Sequence, residues 1–476
     1  MSQAVDHDQR NLRRAVYLLL VTLSAGSMLG RIAAVNSVDR IALERALYRQ
    51  GRKDWRQQRP FLSANDRSRW LTIRALVEHG TYAIDEVTRQ PGWDTIDMVK
   101  HADRHGVAHL YSSKPPLLPT LLAGEYWLIY KLSGATLATH PYAVGRVMLV
   151  TVNLLPMLLF FAVVARWCER YGQTDWGRLF VMACATFATF LTTFAVVLNN
   201  HLIAAVSAAV GMDAALRVWY EGERRLRFFF IAGLFAAFAA ANELPALSLL
   251  AFLTAGLLVR FPRSTLAAFA PGAAIVSVAF FGTNYAAHQS LRPPYLHRRP
   301  GDNWYDYTYE RNGRTIESYW NHPVGVDRGE PSRGVYALNV LVGHHGIFSL
   351  TPVWGLSLWG AGIWIFARKR RRRGLAAMTV LLSVICLGFY LLRPLETRNY
   401  GGMTSGFRWM FWFAPLWLMV MLPAADWLAA ARWRRALALV LLLMSTLSVA
   451  YPTWNPWTHP WIYDAIHGGP GSSAAP

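Results

Sequence analysis

The sequence predicts an all-α polytopic membrane protein with roughly eleven transmembrane helices, a large external first loop holding juxtamembrane helices, and a small β-hairpin in a later external loop. Three observations carry that prediction. The chain of 476 residues is 54% hydrophobic and 16% charged, with 20 tryptophans. Apolar runs of about 17 to 25 residues recur along most of it, the length a helix needs to cross a bilayer. The arginines that give a formal charge of +20 gather in short stretches between those runs, as positive-inside topology requires. The lipid bilayer, and no nucleic acid, is therefore the partner that the charge implies. Cys168, Cys184 and Cys386 lie apart, in or beside predicted spans, and indicate neither a disulfide framework nor a cysteine metal site.

Residues 1–35 form a cytoplasmic N-terminus and a first span. Arg10, Arg13 and Arg14 precede an apolar run from Ala15. A small-residue region near Ala25 resembles a signal peptide, but the run continues past Gly30 and reads as an uncleaved helix over 14–35. Residues 36–141 are mostly polar and form one external loop, provided that the apolar stretch 115–133 does not cross. It contains Glu125 and opens with two prolines, a good helix start. If it crossed, the basic groups at Arg166, Arg170 and Arg178, at Arg217, Arg224, Arg225 and Arg227, at Arg260 and Arg263, along 368–373, and at Arg432, Arg434 and Arg435 would all lie outside. A charge at bilayer depth costs about 2.5 to 3.5 kcal/mol on insertion scales. The stretch is read as a helix lying in the interface.

Residues 142–285 form a six-span block, with runs at 142–166, 178–199, 201–220, 228–241, 244–260 and 266–285. Residues 286–345 are a second external loop. In it Asn312 and Gly313 stand between aromatic and β-branched runs, so 304–310 is predicted to pair with 315–320. A four-span block follows over 346–450, with runs at 346–366, 375–392, 407–430 and 436–450. The tail 451–476 is expected to be external and disordered at its end.

The polar equipment sits in the external loops. Asp66 precedes Trp70, Ile73 and Val77 at helical spacing, with Gly80 as a stop, so it lies near a helix N-terminus, where a carboxylate is favoured. A plain N-cap with Arg69 as surface partner would use the same residues. Lys114 precedes Pro115 and Pro116. A lysine opening a helix opposes its dipole, which favours anion binding over a stabilising role, although a lysine reaching lipid headgroups has the same position.

Asp66-x-Ser68-Arg69-Trp70, then Leu76 and Gly80, then Lys114-Pro115-Pro116-Leu117 resemble the glycosyltransferase C superfamily. The pattern is most similar to the lipid A aminoarabinose transferases and protein O-mannosyltransferases. The matched part is about 64–217, roughly a third of the chain. The resemblance implies a polyprenyl-phosphate sugar as donor and a lipid, glycan or protein acceptor. It places the catalytic aspartate at Asp66 and the donor-phosphate lysine at Lys114. Where relatives carry an acidic pair, Asp66 is followed by Arg67. A second acid that relatives carry at a span junction falls here near Asn199, Asn200 and His201, which would bind sugar or acceptor without a carboxylate.

A sugar on a polyprenyl phosphate already has a good leaving group. Transfer needs a carboxylate for the acceptor hydroxyl and cations for the departing phosphate, and in-line attack inverts the anomeric centre. Arg393, Arg398 and Arg408 flank a glycine-containing stretch and suit phosphate by their forked donors. Interface anchoring is the alternative use for them. Arg292, Arg298 and Arg299 have Asp302, Asp306 and Glu310 nearby as possible partners. His344 and His345 lack a third ligand at usable spacing and read as interfacial packing, so no metal ligands are assigned. A divalent cation on the substrates stays open. Asp85, Asp94, Asp97, His105 and His109 line the first loop, where they would shape an acceptor pocket or, as is more frequent for any one of them, serve loop solvation, and Glu243 with Asn242 reads as an interface residue. There is no P-loop and no HExxH motif. A transporter or flippase of lipid-linked sugars is the main alternative, disfavoured by apolar mid-span positions; a glycan polymerase or ligase is another. The expected location is a bacterial inner membrane, N-terminus cytoplasmic, C-terminus and site periplasmic.

Overall fold

The structure is a computed structural model that describes residues 2–36, 59–311, 313–367 and 372–467, the side chains of 2–7 excepted. It is a mostly helical, multi-pass membrane protein. Among the described residues eight helices are long and apolar enough to cross a membrane: Asp8–Ala33, Pro141–Tyr171, Asp175–Val196, Asn200–Tyr220, Pro262–His288, Arg373–Leu391, Arg408–Leu428 and Arg432–Ala450. Three shorter apolar helices, Leu226–Asn242, Leu244–Arg260 and Trp354–Phe366, occupy the other three places where the sequence predicts a span.

Small residues set the packing. Asn200–Tyr220 carries Ala204, Ala205, Ala208, Ala209 and Gly211 and is buried along nearly its whole length. A Cβ on Gly211 would stand 3.1 Å from the Ala236 amide nitrogen, and one on Gly233 would stand 2.1 Å from the Phe269 carbonyl oxygen. Such close backbone approach is how helices associate where lipid removes the hydrophobic drive. The outermost helices, Asp8–Ala33 and Arg432–Ala450, instead expose Leu18, Leu19, Leu23, Leu439, Leu443 and Leu447.

The bundle has two polar ends. At one, Arg13 pairs with Glu169 and Asp175, both at 2.9 Å, and Arg166 pairs with Asp213 and Glu221. Asp426 accepts the Thr174 N–H and hydroxyl at 2.8 Å each, and Arg372 donates to the Tyr171 carbonyl at 3.0 Å. This is the end where the sequence puts its basic clusters.

The long loops meet at the opposite end. Arg146 donates to the Val35 carbonyl from Nε at 3.0 Å and from a terminal nitrogen at 2.6 Å. The chain thus returns, at the start of Pro141–Tyr171, to the end it left after Asp8–Ala33. The helix Leu117–Ser133 lies between them in the chain and is not among the described helices long and apolar enough to cross. It buries Leu118, Leu122 and Tyr126 and turns Leu121, Leu128 and Leu132 outward, and Tyr126 donates to Glu78 at 2.6 Å.

Strands appear in both loops. Thr308–Arg311 pairs with Arg314–Glu317, Arg311 opposite Arg314. The residue Asn312 of the expected turn lies outside the described residues. These strands are shorter than the sequence predicts, because Tyr305 turns inward to pack with Val99 and Tyr111, with Trp304 and Trp320 against the same cluster. A second pair, Met98–Ala102 with Ala108–Ser112, corrects the purely helical expectation for the first loop. Its turn is held by Asp103, which accepts from the His105 and Val107 amides at 2.8 and 2.9 Å, with Gly106 at φ 81°. The Lys100 amide donates to the Trp304 carbonyl at 2.9 Å and joins the two loops.

The C-terminal segment through His467 packs against the loops. The Asn455 side chain donates to the Leu62 carbonyl at 3.3 Å, the Ser405 amide donates to the Pro456 carbonyl at 3.0 Å, and Trp461–His467 is helical. The end expected to be disordered, 468–476, lies outside the described residues.

Candidate active site

Ser63 caps the helix Ala64–Glu78 by accepting the Asp66 amide at 2.9 Å. The capping role therefore belongs to Ser63, and Asp66 stands in the first turn. Its Oδ1 accepts the Trp70 indole N–H at 2.8 Å and the Leu198 amide at 2.9 Å, and its Oδ2 accepts the Leu62 amide at 3.3 Å. Burial pushes its carboxyl up to about 6, against the pull of those same donors. Asp66 is 1% exposed. Its oxygens serve the chain itself.

Asp97 precedes the strand Met98–Ala102. Its carbonyl is fixed by the Ser68 hydroxyl at 2.5 Å and the Ser113 amide at 3.1 Å, and its amide donates to Thr95. The carboxylate thereby faces Lys114, with Nζ 2.9 Å from Oδ1. The side chains of Lys114 and Asp97 are 17% and 11% exposed, so this pair, unlike Asp66, is open to a ligand. Burial pushes Asp97 up, but Lys114, Arg408 and Arg69 together outweigh it and hold the carboxyl below its usual range. Burial lowers Lys114 to about 8, with Arg69 and Arg408 adding to the shift and Asp97 opposing it. The expectation that Asp97 is loop solvation is corrected here. Lys114 meets a carboxylate of its own chain.

Arg69 projects from the same helix and donates to the Asn65 carbonyl at 2.9 Å and to its side-chain oxygen at 2.8 Å. Its other terminal nitrogen donates to Asn200 Oδ1. Burial lowers it to about 10, and Arg408 lowers it further. Arg408 opens its helix, donates from Nε to the Gly401 carbonyl at 2.8 Å, and stands against His201 Nε2. Its guanidinium carbon is 4.9 Å from the centre of the Trp457 ring.

Glu243 is the largest correction. The sequence reading puts it at the membrane interface, yet it is 5% exposed, contacts His201 Nδ1 and accepts from Asn200 at 2.9 Å. Burial raises it to about 8, with Arg408 and Arg69 opposing. A carboxylate thus stands against Asn200 and His201 from a junction 42 residues beyond His201 in the chain. No local signal marks it; an acid between two apolar runs was the available hint.

Of the predicted residues, Asp66, Arg69, Lys114, Asn200, His201 and Arg408 come together, joined by Asp97 and Glu243. Arg398 does not join them. It donates to the Pro331 carbonyl at 3.1 Å and accepts the Glu330 amide at 2.8 Å, tying two loops. Arg393 stands apart among aromatic rings, 5.3 Å from Trp409 and 5.9 Å from Phe389. Arg292 pairs with Asp302 at 3.0 Å, and Arg298 lies 3.9 Å over Tyr305. His345 is buried and stacks 4.7 Å from Tyr400. Among the described residues no group of three His, Cys, Asp or Glu side chains is placed to hold a metal ion.

No protein-family model matches the chain, and no curated protein matches it. Among solved structures, the crystal structure of ArnT from Cupriavidus metallidurans in the apo state is similar, at 12% identity and a TM-score of 0.48 over 91% of this chain. The match covers 64% of that chain, so this chain spans less than two thirds of its length.

Proposed function

We propose that the protein is a membrane glycosyltransferase that moves a sugar from a polyprenyl-phosphate donor to an acceptor hydroxyl on the periplasmic face of an inner membrane, with inversion. One observation supports this above the rest: Lys114 Nζ stands 2.9 Å from the Asp97 carboxylate, and Arg69 and Arg408, held on Asn200 and His201, act on the same carboxylate where the loops meet the ends of the helices. Three cations around one base are what such a transfer requires. The leaving phosphate needs fixed positive charge, and the acceptor hydroxyl needs a proton acceptor.

Asp97 takes the acceptor proton as the hydroxyl oxygen bonds to the anomeric carbon, and the bond to the phosphate oxygen breaks. Lys114, Arg69 and Arg408 stabilise the phosphate that leaves. Lys114 then serves both partners, since it also keeps Asp97 ionised. Asp66 is a positioning residue in this scheme. It fixes the Leu198 backbone ahead of Asn200 and His201.

The test is mass spectrometry of envelope glycolipids, glycans and glycoproteins from a deletion strain carrying wild type or Asp97→Asn. One glycoform lost in the deletion, restored by wild type and not by the inserted variant, supports the reading and identifies the acceptor. Full restoration by Asp97→Asn overturns it.

A further inference from the structure

We infer that Glu243 is a positioning residue that holds both arginines of the site, Arg69 through Asn200 and Arg408 through His201, while leaving each without a direct counter-ion. The inference rests on the transferase reading for its purpose, and on the following geometry for its substance.

A guanidinium only donates hydrogen bonds. Arg69 donates to Asn200 Oδ1, which fixes the amide so that Nδ2 faces Glu243 Oε1 at 2.9 Å and the Asn242 carbonyl at 2.6 Å. Arg408 donates to His201 Nε2, so that nitrogen holds the lone pair and Nδ1 carries the proton. The Nδ1 proton goes to Glu243 Oε1. Two separate chains of donors, each starting at an arginine, therefore end on one oxygen atom.

Arg69 and Arg408 carry like charges in one buried cluster, and the links through Asn200 and His201 orient the guanidinium ends that the bonds of Arg69 to Asn65 and of Arg408 to Gly401 leave free. A carboxylate placed directly on either would cancel the charge a phosphate has to meet. An amide and a neutral imidazole pass on orientation without cancelling that charge. Among the described residues no ion pair joins Arg69 or Arg408 to a carboxylate, and each reaches Glu243 through one intervening side chain. Glu243 is 5% and His201 2% exposed.

The experiment compares Glu243→Ala and Glu243→Gln in the purified full chain, reading donor KM and kcat with a polyprenyl-phosphate sugar, and binding of decaprenyl monophosphate by native mass spectrometry. Glu243→Ala frees the His201 donor and leaves Asn200 held by the Asn242 carbonyl alone, and is expected to raise donor KM by about tenfold or more, with kcat changed less. Glu243→Gln keeps the accepting oxygen and recovers most of that loss, to within about threefold. Should Glu243→Ala fail to insert, Asn200→Ala and His201→Ala each release one arginine and are expected to weaken phosphate binding singly. Unchanged phosphate binding in Glu243→Ala, or in both of those variants, overturns the inference, as does a loss in Glu243→Gln equal to that in Glu243→Ala. If the wild type binds the lipid phosphate but transfers no sugar, the transferase reading fails, and the tether is still judged by binding.

Discussion

Asp66 Oδ1 accepts the backbone N–H of Leu198 at 2.9 Å, across 132 residues of chain. The bond anchors the first loop helix to the junction that starts Asn200–Tyr220. A buried carboxylate taking three N–H donors is strongly held, and changing its donor set is costly. Asp66→Asn presents an N–H to the Leu62 amide or to Leu198, and is expected to cost about 1 to 3 kcal/mol. Thermal unfolding of the detergent-purified variant measures this. Asp97→Asn breaks the pair with Lys114 and is expected to lower kcat by about a hundredfold or more in the folded protein, whatever stability the lost pair costs. The opposite pattern, with Asp66→Asn stable and inactive, would return the base to Asp66.

The pH dependence follows from the same charges. Asp97 is held below the usual carboxylate range, so the base stays ionised and transfer persists through that range before it falls. Removing the Lys114 charge lets Asp97 rise, and in the residual activity of Lys114→Gln the acid limb moves to higher pH. On the alkaline side Lys114 loses its proton near 8, and Glu243 ionises in the same range. Both changes weaken the hold on an anion, so donor affinity falls as pH rises through 8. Glu243→Gln removes one of the two protons from that limb. Rate profiles from pH 4 to 10 test each point; an alkaline limb unmoved by either substitution contradicts the assignment.

The hydrogen bonds from Arg146 to Val35 put both ends of the first loop on one side. Single cysteines at Ser133 and Gly301 are expected to react with a membrane-impermeant maleimide from the same side of the membrane, and one at Arg224 from the other. Cys168, Cys184 and Cys386 are buried and give little background. Opposite accessibility of the first two positions would mean that Leu117–Ser133 crosses.

Helix packing supplies a stability test. Gly233→Ala sets a methyl 2.1 Å from a backbone oxygen, whereas Gly282→Ala meets nothing within 4 Å. The first is expected to lower stability by about 1 to 3 kcal/mol, and the second by little. Equal unfolding temperatures would refute the close approach.

The apolar runs located the helices well, because bilayer thickness fixes their length and arginine placement fixes their order. Lys114, Arg69, Asn200, His201 and Arg408 were legible for a related reason: each is a polar residue at the end of an apolar element. Asp97 and Glu243 were not. Nothing in Trp93 to Val99 distinguishes a solvated aspartate from one held by Ser68 and Ser113, and nothing around Glu243 announces His201. The strands Met98–Ala102 and Ala108–Ser112 are five residues each, too short for an alternating pattern to stand out, so periodicity failed there. Arg398 was misplaced by proximity: it neighbours the site in sequence and serves the Pro331 turn in space.

The polar cluster draws on the first loop, three helix junctions and, through Trp457 under Arg408, the segment beyond the last span. That spread governs biogenesis. As the ribosome delivers helices one after another, Lys114 and Asp97 are in place early, yet Arg408 and its tryptophan arrive about three hundred residues later. A nascent chain stalled between them therefore has no assembled polar cluster.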